Sequence, residues 1–410
     1  MLRVLAITKI FPNAAEPLSA PFNRQQFAAL AKRCQLEVMG TIPWFPGAGL
    51  LGRWSSAGKL ARVPARETID GVAVTHPRTL FLPRLAHSTW GPLYAASIAP
   101  LLSRYRGKVD VVLGAWAYPD GFASVLAARM LGVPCVIKLH GSDINLIAKL
   151  PGPRRMLRWA LPQAARVVAV SRPLADEVTA LGVTRERVAI VMNGVDGDLF
   201  RPRDRASSRA ALGLPDGPLA LYVGNLKPEK GVLDLPRAWS GVVRAHPTAT
   251  LVIVGDGPLH GELEAASAPL GDRVRLVPRR PLAEIPTWMA ACDVLVLPSH
   301  TEGTPNVVLE ALACGRRVIA TAVGGVPDLI TRDELGALAP PRDPDALAGA
   351  IVRCLHTAYD PSRVAALGAR GGWDASAAAL YEVLVGAAGA SDHQRDAQPA
   401  DSVPARRRLV

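Results

Sequence analysis

The sequence predicts an α/β protein built from two Rossmann-like, doubly wound domains, and three observations carry that prediction. Short β-branched runs alternate with helical patterns along nearly the whole chain. The alternation falls into two blocks, parted at residues 197–218 by a stretch of charges, proline and glycine that reads as a linker. The 410 residues suffice for two domains, each with its own core. Near-continuous apolar runs suit parallel strands covered by helices on both faces, and a βαβα order in two blocks suits two doubly wound sheets.

Taken in order, the first block offers strands at residues 4–8, 36–41, 109–113, 134–139, 166–170 and 188–191. The second offers residues 219–223, 250–254, 274–277, 294–297 and 317–320. Helical patterns fall between them, for example at 23–33, 122–131, 173–181 and 305–314. The expected division is an N-terminal domain over 1–196, a linker over 197–218 and a C-terminal domain over 219–372. A helix at 373–390 is expected to cross back to the N-terminal domain, ahead of a disordered tail at 391–410. Residues 43–93 break the rhythm: a long irregular insertion carrying Trp44, Phe45, Arg53, Trp54, Lys59, Arg62, Arg66, Arg78, Phe81, Arg84 and Trp90. Insertions of that length are usually functional or mobile.

Composition narrows the function classes. An apolar fraction of 49% excludes disorder for most of the chain, and the 36 Gly and 36 Pro show no collagen-like period. Five scattered cysteines with no CxxC pair disfavour a metal site or a disulfide framework, and Cys135, Cys292 and Cys314 read as buried small hydrophobes. The opening MLRVLAITKIFP is too short and too interrupted for a signal peptide, and no run reaches the length of a membrane span, so a cytoplasmic protein is expected. The net charge of +12 lies wholly in residues 1–200, which hold 24 Lys and Arg against 12 Asp and Glu. An anionic partner of the N-terminal half would explain that asymmetry, with the inner face of the membrane as a candidate. Bias toward arginine, 39 against 8 lysines, is the competing explanation.

The densest chemistry lies in Ser299-His-Thr-Glu-Gly-Thr-Pro-Asn-Val-Val-Leu-Glu-Ala-Leu-Ala-Cys-Gly315, at the carboxyl end of the strand at 294–297. Open α/β sheets bind ligands at that end. Thr304 reads as an N-cap, Pro305 as the first helical residue and Gly315 as a left-handed C-terminal stop. The backbone across Gly303, Thr304, Pro305, Asn306 and Val307 would then present a helix N-terminus to a phosphate or diphosphate. Glu302 and Glu310 bracket it, about 10 Å apart at about 1.5 Å of rise per residue. That is too far for a general acid/base pair on one atom, yet suited to holding hydroxyls at two ends of an extended ligand. Taken alone, both glutamates are also what a solvated loop and helix would carry.

A second strand-end loop, Gly224-Asn225-Leu-Lys-Pro-Glu-Lys230-Gly231, places Lys230, or alternatively Lys227, as a cation for the same phosphates. Gly255-Asp-Gly-Pro258 is a weaker, similar turn. No GxGxxG follows the first strand, which counts against a dinucleotide enzyme. In the N-terminal half, Leu139-His140-Gly-Ser-Asp143 ends a buried strand, so His140 is the candidate to face a sugar, with His300 the other strand-end histidine. Tyr118-Pro-Asp-Gly121 is a third turn of this kind.

Together these residues resemble the family 4 retaining glycosyltransferases, which have the GT-B fold of two Rossmann-like domains facing a cleft. The resemblance spans residues 1–390 and rests on the Glu302-to-Glu310 motif, VIATAVGGVPDLI, VGNLKPEKG and the NGVD at 193–196 with Phe200 and Pro202. The YPDG and HGSD stretches are similar to the teichuronic-acid and exopolysaccharide subgroup. It implies catalytic roles for His140, Lys230 and Glu302. The nucleotide-sugar donor would lie against Asn225, Lys230, Glu302, Gly303, Thr304, Pro305, Asn306, Val307 and Glu310. Within that set, Glu302 meets the donor sugar, Glu310 the ribose, and Lys230 with the helix N-terminus the diphosphate. It further implies retaining transfer from a nucleotide sugar without a metal or other cofactor. The paired-carboxylate site with a basic, aromatic-bearing N-terminal half points to a glycan acceptor, lipid-linked at the inner membrane face. Dispersed basic residues with no recognition helix or stacking motif speak against a nucleic-acid partner. Three departures stand out: Asn225 where the family usually has arginine, Pro278-Arg279-Arg280 at the base-binding turn, and no paired glycine in the loop at 8–22. A sugar-nucleotide epimerase of the same fold and a non-catalytic binding subunit are the rival readings.

Overall fold

Sixteen strands and the helices between them occupy residues 1–52, 55–81 and 87–396, which are the residues the computed structural model describes. The N-terminal half carries β1 (Arg3–Thr8), β2 (Gln35–Gly40), β3 (Ile42–Trp44), β4 (Arg66–Ile69), β5 (Val72–Thr75), β6 (Arg78–Leu80), β7 (Val111–Gly114), β8 (Cys135–Lys138), β9 (Arg166–Ala169) and β10 (Val188–Ile190). The C-terminal half carries β11 (Leu219–Val223), β12 (Thr250–Val254), β13 (Val274–Val277), β14 (Val294–Leu297), β15 (Arg317–Thr321) and β16 (Gly336–Ala339). The first sheet is ordered β10-β9-β8-β7-β1-β2-β5-β4 and the second β13-β12-β11-β14-β15-β16, while β3 and β6 pair apart. Every pairing within the second sheet is parallel; in the first only β4 runs antiparallel, on β5. Both sheets reverse their winding beside their first strand, between β1 and β7 and between β11 and β14, and those are the crevices where doubly wound sheets take ligands.

Burial explains why the strands were legible. Val4–Thr8, β7, β8, β12 and β14 are buried at nearly every residue, because helices cover both faces. All five cysteines are buried and free. The final helix, Trp373–Asp396, packs against the helix Pro21–Ala31 and against β7, β8 and β9. Trp373, Ala377, Leu380, Leu384 and Ala387, spaced by three and four, form its stripe in the N-terminal core.

Several boundaries differ from the sequence reading. The stretch at 197–218 is no bare linker, since Arg205–Leu212 is a helix capped by Asp204 and packed on the helix Ile285–Ala291. Arg209 reaches Asp293 at 2.8 Å there, so the segment belongs to the C-terminal packing. The insertion at 43–93 is not wholly irregular, because β3 to β6 lie in it and Glu67 pairs with His76 at 2.5 Å. Arg53, Trp54 and Arg84 lie outside the described residues. The expected tail is helical as far as Asp396, and residues 397–410 lie outside the described residues.

Candidate active site in the cleft between the sheets

The carboxyl ends of both sheets face a cleft of about 980 Å³, lined by every residue that the family resemblance assigns to catalysis or donor binding. Its C-terminal wall is built on the turns after β11, β12 and β14. Glu302, buried, is fixed from two sides: Lys230 Nζ donates to its two carboxylate oxygens at 2.7 and 2.9 Å, and Ser299 Oγ donates to Oε1 at 2.6 Å. Lys230 is therefore not a free cation but the counter-charge of Glu302. Lys227, exposed on the same turn, also lines the cleft, and no ion pair occupies it among the described residues. Asn225 is exposed, and its carbonyl accepts from Tyr222 Oη at 2.9 Å.

The helix after β14 begins one residue later than its sequence suggests. It spans Asn306–Ala313 with Pro305 at the N-cap. Thr304 is not the cap: its hydroxyl donates instead to the carbonyl of Val170 in the other sheet's loops. Pro305 has no N–H to give and Val308 N–H donates to the Pro305 carbonyl at 3.1 Å, so the amides left without a backbone acceptor at this helix start, among the described residues, are those of Gly303, Thr304, Asn306 and Val307. Gly315 has the expected left-handed φ, +72°. Glu310, one turn into the helix, lines the cleft, and its carboxyl group has no hydrogen-bond partner among the described residues. Burial pushes its carboxyl up to about 7.

The N-terminal wall is built on the turns after β1, β7 and β8. Asp143 folds the HGSD turn by accepting from the amides of Gly141 at 2.8 Å, Ala117 at 2.9 Å and His140 at 3.1 Å. Its carboxyl is still raised by burial, with those bonds opposing the shift. His140 is packed between Phe22, 4.7 Å between ring centres, and Trp116, 5.9 Å. Burial first, and the charge of Lys138 second, hold its pKa well below the ordinary value, so the ring is neutral. Its Nε2 is buried without a partner, as is Nε1 of Trp116.

The walls touch. A Cβ on Gly141, at φ +112°, or on Gly303 would collide with the backbone of the opposite wall. Asn145 Nδ2 donates to the carbonyl of Glu302 at 3.0 Å, Asn193 Nδ2 to Asn306 Oδ1 at 2.8 Å, and Arg279 Nη2 to the carbonyl of Leu18 at 3.1 Å.

Two other sequence candidates are not cleft groups. His300 is held by Asp234 at 2.8 Å. Tyr118 and Asp120 are wholly buried: Tyr118 Oη donates to the carbonyl of His87 at 2.7 Å, and Asp120 accepts from the Lys9 amide at 2.7 Å. The YPDG turn therefore braces the wall from behind. Arg279 and Arg280 do line the cleft. Trp116 was missed, though an aromatic two residues past a buried strand end is the signal that would have found it.

Residues 12–199 match the family model described as Glycosyltransferase Family 4, and residues 217–357 match that described as Glycosyl transferases group 1. The chain is 29% identical to TuaC of Bacillus subtilis (strain 168), named for teichuronic acid biosynthesis, over 87% of this chain and 90% of that protein. It is 35% identical to D-inositol 3-phosphate glycosyltransferase 1 of Catenulispora acidiphila, over 74% and 77%. Among solved structures, sucrose-phosphate synthase of Thermosynechococcus elongatus superposes with a TM-score of 0.71 at 21% identity, covering 97% of this chain and all of that one. Anabaena Alr3699/HepE in complex with UDP and glucose superposes with a TM-score of 0.65 at 20% identity and the same coverage.

Proposed function

The chain belongs to glycosyltransferase family 4, and from that premise we propose that it transfers a sugar, with retention, from a nucleoside-diphosphate sugar to a glycan acceptor that is lipid-linked, in the making of a cell-surface or secreted polysaccharide. The observation that carries this reading is the fixed carboxylate of Glu302 beside an uncapped helix N-terminus, with an unpartnered Glu310 farther along the same cleft. A carboxylate already held by Lys230 and Ser299 keeps lone pairs in one orientation for the hydroxyls of the donor sugar. Glu310 is the acceptor for ribose hydroxyls. The diphosphate between them meets the outward amides of Gly303, Thr304, Asn306 and Val307, the positive end of the helix and the cations Lys227 and Lys230.

As the glycosidic bond breaks, negative charge grows on the leaving diphosphate, and those fixed amides and cations stabilise it without reorganising. In this reading protein groups supply that charge and no metal is needed; turnover in excess chelator tests it. The acceptor enters along the N-terminal wall, where neutral His140 offers Nε2 to a sugar hydroxyl.

The direct experiment incubates wild type and Glu302→Gln with UDP-, GDP- and ADP-sugars, reading binding and hydrolysis. One nucleotide class should bind and turn over with wild type, and kcat/KM should fall about a thousandfold in the variant. Absence of binding by every donor would overturn the proposal.

A further inference from the structure

The surplus positive charge of the N-terminal half is not in the cleft. Arg24, the arginine on that half's cleft wall, is bonded to Asp70 at 2.6 Å. Four of the other basic residues, Arg129, Arg154, Arg155 and Arg158, stand exposed on two neighbouring helices, Phe122–Leu131 and Pro151–Ala160. The second buries Pro153, Leu157 and Ala160 and turns Arg154, Arg155, Arg158 and Trp159 outward. Arg129 stands 5.2 Å over the Trp159 ring, and Met130 follows it at the end of the first helix. Neither helix carries an acidic residue. Residues 87–165 contain three carboxylates, of which Asp110 is paired with Arg3 and Asp120 and Asp143 are buried.

The same face exposes large apolar side chains: Met130 is 49% accessible, Trp159 41% and Leu146 40%. Leu146 also lines the cleft, and the turn Ile147–Lys149 that follows it packs on the helix Pro151–Ala160. Cations alone would suit any polyanion. A tryptophan among arginines, with a methionine and a leucine in the open beside them, suits the boundary between lipid headgroups and acyl chains.

We propose that the outer face of these two helices docks on an anionic lipid bilayer and brings the cleft mouth at Leu146 to the membrane surface. It deepens the proposed function by naming where a lipid-linked acceptor would arrive, yet it requires no catalysis. The two are therefore tested apart.

The experiment is sedimentation of the full chain with vesicles of phosphatidylcholine alone or mixed with phosphatidylglycerol, across a salt series. Wild type and Glu302→Gln should bind the mixed vesicles equally and the neutral ones weakly, with affinity falling as salt rises. Reversing Arg154, Arg155 and Arg158 to Glu should cost at least about a hundredfold in affinity for the mixed vesicles. Trp159→Ser should cost several-fold with little change in salt dependence. All three side chains reversed are exposed, so circular dichroism and melting should match wild type. Mixed-vesicle binding that survives the triple reversal overturns the proposal. So does equal retention on duplex DNA or polyacrylate with no effect of Trp159→Ser, which would make the face a site for soluble polyanions.

Discussion

On the C-terminal wall of the cleft, the Glu302 carboxylate is paired with Lys230 and Ser299 within 2.9 Å, whereas behind the N-terminal wall ionisable groups are buried and shifted toward their neutral forms. Burial brings Lys138 down to about 7, against the pull of Asp143, and raises Asp120 to about 6. His140 is held neutral beside them. Both walls rise from the carboxyl ends of parallel strands, so topology does not set the difference; the partners within each wall do. A paired, oriented charge suits a polar ligand gripped in one pose. Uncharged groups with unpartnered polar atoms, His140 Nε2 and Trp116 Nε1, suit an incoming sugar hydroxyl. Glu310 is the exception on its own side, an unpartnered carboxyl pushed up to about 7, and it behaves like the opposite wall until a ligand supplies donors.

The comparison has force only if the two walls work in contact, and Gly303→Ala breaks that contact most directly. The added methyl would strike the carbonyl of His140, which backbone cannot easily yield. Each sheet has its own core, so melting should change little. Displacing reacting groups by about an ångström costs on the order of a hundredfold in turnover, and kcat/KM for transfer should fall by about that much. Binding of donor to the C-terminal wall should stay within a few-fold. Transfer within about threefold of wild type would show that this closed arrangement is not the working one.

Much of this arrangement was legible before any coordinates, for a reason seen in particular residues. The strands at 219–223, 250–254 and 294–297 recur unchanged as β11, β12 and β14, since buried parallel strands leave an unmistakable apolar run, and the half-exposed edge strand at 274–277 recurs as β13. Glu302, the helix start and Glu310 are neighbours along the chain, so their order is local information. β16 escaped notice because Gly-Ala-Leu-Ala carries no β-branched residue. Long-range partners were invisible for a different reason. Nothing local says that Lys230 pairs with a carboxylate 72 residues away, or that Thr304 bonds across the cleft to Val170 instead of capping its own helix. A side chain's type limits what it can pair with, and only the fold decides which partner arrives.

Glu310 sharpens the comparison through pH. A carboxylate accepting ribose hydroxyls must be ionised, so donor affinity should weaken as pH falls through about 7. The loss should approach about tenfold for each unit below that point. A nucleoside-diphosphate sugar has no ionisation in this range, so the slope belongs to the protein. Stability moves the other way. With a folded pKa raised above its ordinary 4.5, Glu310 contributes stability that is fully present below about 4.5 and lost as pH rises through about 7. Titrating donor binding by calorimetry between pH 6 and 8 should give this slope in wild type and a flat line in Glu310→Gln. Equal slopes in the two proteins would place the titrating group elsewhere.

Trp116 tests the N-terminal wall with the smallest expected effect. Its ring supports His140 and lies under the Lys9 ammonium at 5.8 Å, while its buried Nε1–H has no partner. A buried donor left unpaired costs about 1–3 kcal/mol, a cost recovered only when a ligand accepts from it. Trp116→Phe keeps an aromatic face for His140 and removes the N–H. If that N–H serves the acceptor, KM for the acceptor should rise about five- to tenfold while donor hydrolysis without acceptor is unchanged. Melting should hold or rise slightly, because the variant no longer buries an unsatisfied donor. An equal rise in donor KM would move Trp116 to the donor side and end the division of labour between the walls at this residue. The same KM in both proteins would reduce Trp116 to packing, leaving His140 Nε2 and Asn193 Oδ1 as unpartnered side-chain atoms on that wall still available to a sugar.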